Sequence, residues 1–139
     1  MTKVTGTPMS SAQNPAVEEK KLKLELRLAR LEKNEVCQNN FLKFVKVMWP
    51  DFIIGRHHKI IADKLERVAG GELKRLIINM APRHTKSEFA SFLFPAWMMG
   101  KNPKMKIIQA THTTELAVNF GRKTKNLIES DEYKEIFPK

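Results

Sequence analysis

A chain of 139 residues with 42% hydrophobic side chains has material for one core and is too short for two full domains. No apolar run approaches the roughly 18 residues a membrane span requires, and residues 1–17 lack an apolar stretch with a small-residue cleavage site, so neither a membrane partner nor a secretory signal is expected. Lys and Arg number 25 against 15 Asp and Glu, a formal charge of +10, and a single cysteine, Cys37, excludes an internal disulfide, in keeping with a reducing cytoplasm.

Residues 1–15 are rich in Thr, Ser, Gly, Pro and Asn and read as a flexible tail. Residues 16–36 alternate charge with Leu22, Leu24, Leu26, Leu28 and Leu31. Leu24, Leu28 and Leu31 fall at i, i+4 and i+7, which predicts a charged helix with one narrow apolar stripe. Such a helix serves docking or oligomerisation, or it leans on its own domain; the short seam leaves both open. The remaining residues, 37–139, form the main domain. Cys37 itself is expected to be an inert, small apolar side chain.

Phe41, Phe44, Val45, Met48 and Trp49 follow helical spacing until Pro50 stops them. A further helix is predicted over 57–68, with Ile60, Ile61, Leu65 and Val68 inward and Gly70-Gly71 ending it. Residues 74–80 (KRLIINM) then read as a strand buried on both faces. Residues 87–99 read as an apolar helix that Pro95 should kink or divide. After a loop at 100–103, residues 105–110 (MKIIQA) read as a second buried strand. Residues 113–130 read as a long helix carrying Leu116, Phe120, Leu127 and Ile128 on one face. Strand, helix, strand implies an α/β class: a parallel βαβ unit of P-loop NTPase type, with an incomplete sheet, preceded by amino-terminal helices. A two-stranded sheet buries little, so marginal stability is expected.

In open α/β sheets ligands sit off the carboxyl ends of the strands, where this order places Met80-Ala81-Pro82-Arg83-His84-Thr85-Lys86-Ser87. A phosphate-binding loop, G-x-x-x-x-G-K-[ST] in its standard form, occupies the same place. Its chemistry needs backbone N–H groups and a helix N-terminus facing the phosphates, a lysine reaching the β- and γ-phosphates and a hydroxyl on Mg²⁺. Lys86 and Ser87 supply the last two. Both glycines are replaced, by Met80 and Thr85, and a positive φ strains a β-branched residue. Either the loop takes a glycine-free path or the phosphates lie differently; a plain turn between strand and helix is the alternative. Residues 74–125 hold ten basic and two acidic side chains, an excess that suits a polyanion or simply a solvated lysine-rich surface. The four histidines have no companion cysteine cluster and suggest no zinc site.

The run 76–88 (LIINMAPRHTKSE) resembles the deviant P-loop of tailed-phage large terminases, which commonly reads P-P-R-H-G-K-S after a strand ending in N-M. Phe94-Pro95-Ala96-Trp97, Gly100-Lys101-Asn102-Pro103, Ile107-Ile108-Gln109-Ala110-Thr111-His112 and Phe120-Gly121-Arg122 resemble the helix, loop, strand and helix that follow. The similarity covers residues 41–139, and methionine at the loop's first position is ordinary in that family. It implies ATP and Mg²⁺ as cofactors, with Ala81, Pro82, Arg83, His84, Thr85, Lys86 and Ser87 around the nucleotide. In that scheme Lys86 grips phosphate, Ser87 holds the metal, and Arg83 senses or stabilises the γ-phosphate, a task suited to a planar guanidinium. Arg122 is a weaker candidate for an arginine finger, with a solvated basic face as the alternative. Residues 55–58 stand where the family holds adenine: His58 is the candidate hydrogen-bonding residue and Trp49 or Phe52 the stacking one, Trp49 being a core candidate as well. His84 is the candidate for orienting the loop and His112 for capping a helix. The implied partners are double-stranded DNA, the small terminase subunit and the portal, in a homo-oligomeric ring working in host cytoplasm, transiently at the procapsid portal.

The acids after Ser87 are Glu88, Glu115, Glu129, Asp131, Glu132 and Glu135. None follows an apolar β-run, as the Mg²⁺-binding Asp and water-activating Glu of such a motor should, and no carboxylate cluster for a nuclease is present. The chain is therefore expected to be the amino-terminal part of the ATPase, a fragment or split product, that binds nucleotide without turnover. A helicase-like ATPase, or a non-hydrolysing DNA- or partner-binding fragment, are the alternatives.

Overall fold

The structure, a computed structural model, describes residues 15–138, and the chain divides into two compact units, Met1–Glu32 and Lys33–Lys139. The tail expected over 1–15 lies outside the described residues except for Pro15, which opens helix α1 (Pro15–Asn39). A proline suits that first helical position because its missing N–H would have no intrahelical partner there. α1 crosses the division between the units and runs three residues beyond the sequence estimate.

In the second unit, α2 (Phe41–Met48) starts at Asn40, whose side chain accepts the Lys43 N–H at 2.9 Å. That cap satisfies one of the donors a helix start leaves unpaired. The Phe41 N–H is taken by Glu66 on α3 (Arg56–Ala69), at 2.7 Å, so a partly buried carboxylate oxygen ties the two helices at one corner. α3 ends at Gly70, as its sequence indicates, and Gly71 adopts φ 78. On its inward face Ile61 and Leu65 are buried, whereas Ile60 points to solvent.

Residues 86–101 are helical without interruption, as α4 (Lys86–Glu88), a π-helical stretch (Phe89–Leu93) and α5 (Phe94–Lys101). Pro95 explains the wide turn. In an α-helix its ring would press on the Ser91 carbonyl and it has no N–H to offer; instead the Phe94 N–H reaches back five residues to the Phe89 carbonyl. The division expected at Pro95 is therefore a π-bulge rather than a break. α6 (Thr114–Glu129) is capped by Thr113, whose hydroxyl accepts the Leu116 N–H at 3.3 Å. α7 (Asp131–Ile136) is capped by Ser130, which accepts the Tyr133 N–H at 3.3 Å. The sequence estimate did not include α7, although Ser130 followed by Asp131 and Glu132 is a start signal.

The helices enclose an aromatic core. Phe41 meets Phe89 edge-on at 5.5 Å and Trp97 at 5.5 Å, and Phe44 meets Tyr133 at 6.1 Å. Full burial of each such ring contributes roughly 1.5–3 kcal/mol. Their polar atoms are satisfied: Trp97 Nε1 donates to the Cys37 carbonyl at 2.9 Å, and the Tyr133 hydroxyl donates to the Ala96 carbonyl at 2.7 Å. Asn34 and Gln38 of α1 donate to the Glu135 and Ile136 carbonyls at the end of α7, groups that a helix end leaves without intrahelical donors. Cys37 is buried and its thiol pKa is raised by that burial, so it behaves as the inert apolar residue expected.

The parallel βαβ sheet is not formed: every regular element among the described residues is helical. Residues 74–80 do not lie between two layers. Leu76, Ile78 and Met80 pack on the helical core while Ile77 is 87% exposed, so the segment is buried on one side only. In 105–110, Ile108 is 96% exposed. A strand exists only where a neighbour supplies its ladder of hydrogen bonds, and neither segment has one. Apolar, β-branched composition signalled the segments but could not supply a partner. No helix among the described residues is long and apolar enough to cross a membrane.

Candidate functional site

Residues 82–88 surround a hollow of about 460 Å³, within the range typical of small-molecule sites. Pro82 and Arg83 make a turn, and Lys86 opens the helical run. Two residues of this loop have left-handed backbones, Arg83 with φ 64 and Thr85 with φ 58. Such a conformation costs a non-glycine residue about 1–3 kcal/mol. Thr85 thus adopts the backbone that a glycine takes most readily, in the position where the resembling loop has glycine. The loop is glycine-free without abandoning that conformation.

A directed chain of hydrogen bonds holds it. The Gly55 N–H donates to His58 Nδ1 at 2.9 Å, which places the imidazole proton on Nε2. Nε2 in turn donates to Thr85 Oγ1 at 2.7 Å, and the Thr85 hydroxyl donates to the His84 carbonyl at 2.6 Å. His58 is buried, with Phe89 stacked on it at 5.2 Å and Phe52 edge-on at 4.6 Å. Burial lowers its pKa, and the neighbouring His57 and His84 lower it further, so it is held neutral.

His58 therefore has both ring nitrogens engaged within the chain. The sequence placed it as an adenine contact; the geometry gives it the support of Thr85. Trp49 is 38% exposed and packs on Phe52 at 4.9 Å, at the margin of the core rather than inside it, so the aromatic pair Trp49–Phe52 and the loop meet around His58. His84 Nδ1 donates to the Pro82 carbonyl at 2.9 Å, which braces the loop from within.

Lys86 Nζ donates to the Met80 carbonyl at 3.2 Å, a bond that an incoming anion can replace. Ser87 and Arg83 are exposed, and Ala81 precedes the turn without lining the hollow. Glu88 pairs with Lys123 of α6 at 2.9 Å, a contact that no spacing in the sequence indicates. Arg122 is exposed on α6 and lines no part of the hollow; His112 precedes the Thr113 cap without capping the helix itself. Among the described residues no group of three or more His, Cys, Asp or Glu is placed to hold a metal ion, so a metal here would arrive with its ligand's oxygens. A second hollow, about 520 Å³, lies between α5 and α6, where Gln109 Nε2 is buried without a partner; its lining is mainly apolar, whereas Arg83 and Lys86 border the first.

No protein-family model, no curated protein and no solved structure matches the chain.

Proposed function

We propose that residues 82–88 bind the phosphates of ATP with Mg²⁺, as the nucleotide-gripping part of a terminase-like motor that moves double-stranded DNA into a procapsid. The observation that carries this reading is the left-handed Thr85 immediately before Lys86 and Ser87 at the head of a helical run. Lys86 and Ser87 line one hollow with the residues around that turn, and an ammonium, a hydroxyl and the free N–H groups of a helix start are the chemistry a phosphate requires. Lys86 exchanges the Met80 carbonyl for a phosphate oxygen, Ser87 contributes a metal ligand, and Arg83 pairs with a terminal phosphate. The helical fold places this loop at a helix start without a sheet behind it, so the proposal rests on the loop and not on a nucleotide-hydrolase fold. The resemblance of 76–88 to terminase sequences supplies the wider setting: the small terminase subunit, the portal and a homo-oligomeric ring in the host cytoplasm.

Hydrolysis needs an acid to activate water and a second metal ligand. Glu88, the one acid at the hollow, is tied to Lys123, which favours binding without turnover. Isothermal titration of the chain with Mg²⁺–ATP should show one weak site, and Lys86→Ala should weaken it about tenfold, or about 1.4 kcal/mol. Unaltered affinity in that variant, or no heat at millimolar nucleotide, would refute the proposal. Turnover by the pure chain that Lys86→Ala abolishes would refute the claim of binding alone.

A further inference from the structure

Helix α1 carries an apolar seam that stays exposed among the described residues. Val17, Leu24, Leu28 and Leu31 are each at least half exposed, and they share one face of the helix. Written as heptads, Val17, Leu24 and Leu31 take position d, and Lys21 and Leu28 take position a. The flanks are then strictly sorted by charge: Glu18, Glu25 and Glu32 occupy every e position, while Lys20 and Arg27 occupy the g positions before Asn34. Asn34 is turned to the Glu135 carbonyl, so the free seam ends near Glu32.

We propose that α1 pairs in parallel with α1 of a second copy of this chain. The charge pattern selects that occupant and that direction. Side by side and in register, each g residue faces the following e residue of its neighbour. Lys20 then meets the other copy's Glu25, and Arg27 meets its Glu32, twice over by symmetry. An antiparallel pair would set g against g and e against e, opposing basic to basic and acidic to acidic. Lys21 at an a position suits a two-stranded pair, since a lone polar a residue specifies register and strand number at some cost in affinity. Within one helix, Glu25 pairs with Lys21 at 3.9 Å, both exposed, a weak tie easily exchanged for one across the pair. Leu22 and Leu26 fall at b and f and take no part. The inference is independent of the nucleotide proposal, because it concerns association of copies and not the loop.

Sedimentation equilibrium of the full chain should show a reversible monomer–dimer equilibrium. The triple variant Glu18→Lys, Glu25→Lys, Glu32→Lys and the double variant Lys20→Glu, Arg27→Glu should each sediment as monomers, a twofold loss of mass. Mixed one to one, they should recover a heterodimer. Circular dichroism of each variant reports whether its helices remain, so loss of association and loss of folding are told apart. For direction, Val17→Cys should cross-link to itself in a glutathione redox buffer, with the parent chain, whose Cys37 is buried, as the unreactive control. A parent chain that is monomeric at high concentration, a mixture that stays monomeric, or preferential cross-linking of Val17→Cys to Leu31→Cys would each overturn the proposal.

Discussion

Thr85 keeps a left-handed backbone that suits glycine, and two substitutions separate what that costs from what its hydroxyl returns. Thr85→Gly relieves strain of about 1–3 kcal/mol. It also gives up the hydroxyl's two hydrogen bonds, each worth about 1 kcal/mol, and adds unfolded-state entropy of about 0.4–1 kcal/mol. The net change should be small. Thr85→Ala loses the same hydrogen bonds but keeps the strain, so urea unfolding should find it about 1 kcal/mol less stable than Thr85→Gly, the strain less the entropy difference. Equal stability of the two would show that the loop is not held left-handed there. His58 gives a pH signature. Its folded pKa lies below the usual 6.5, by burial first and then by His57 and His84. The unfolded chain takes up the proton first on acidification, so the stabilisation is full above pH 6.5 and is lost as pH falls through the folded value. Thermal melts between pH 7.5 and 5 should show this decline, and His58→Gln should flatten it. The sequence made Lys86, Ser87 and Arg83 legible as phosphate chemistry because residue type and order suffice for that. His58 was visible only as a residue upstream; that it meets Thr85, 27 positions away, depends on packing that no local spacing encodes.

Gly100 shows how one missing side chain fixes the place of a neighbouring element. A Cβ built there would lie 2.5 Å from the Phe137 ring, inside any tolerable contact. Phe137 follows α7 and touches Tyr133 at 5.1 Å and Phe44 at 5.9 Å, so it cannot yield without disturbing the core. Gly100→Ala should therefore destabilise by about 1–3 kcal/mol, read as a lowered melting temperature, whereas Gly121→Ala, with no atom within 4 Å of its added carbon, should be neutral or stabilising. The helices were largely readable: spacing, Pro50, Gly70 and Thr113 set boundaries within a few residues. α7 was passed over because six residues carry too little periodicity to stand out. The two segments read as strands went wrong for another reason. Their composition reports an apolar need, and 74–80 meets it on one side against helices while 105–110 leaves Ile108 in solvent.

At the scale of the molecule, the absence of a sheet changes where protection should lie. The expectation of marginal stability rested on two thin strands; the observed core instead joins α2, α3, α5, α7 and the π-helical stretch through aromatic rings and aliphatic side chains. Hydrogen exchange should be slowest at the amides of these helices and fast across 75–80 and 106–110, which lack ladder partners. Slow exchange in both segments together would mean that they pair, and would return the fold to the α/β class. Charge was legible in the sequence as an excess concentrated in residues 74–125, but not as a hollow that it borders. The structure places Arg83, His84 and Lys86 around one hollow, and leaves the helical seam of α1 as a separate feature.

The wide turn at Phe89–Leu93 acts on the molecule as a rotational offset. One added residue advances a helix by roughly 100°, so Lys86, Ser87 and Glu88 are set at a different phase from the face that presents Trp97 to the core. A shaft with a key cut partway along it behaves in the same manner: what is gripped at one end fixes the angle at which the other end is offered. Pro95, partly buried beside the second hollow, thereby sets the heading of the basic loop.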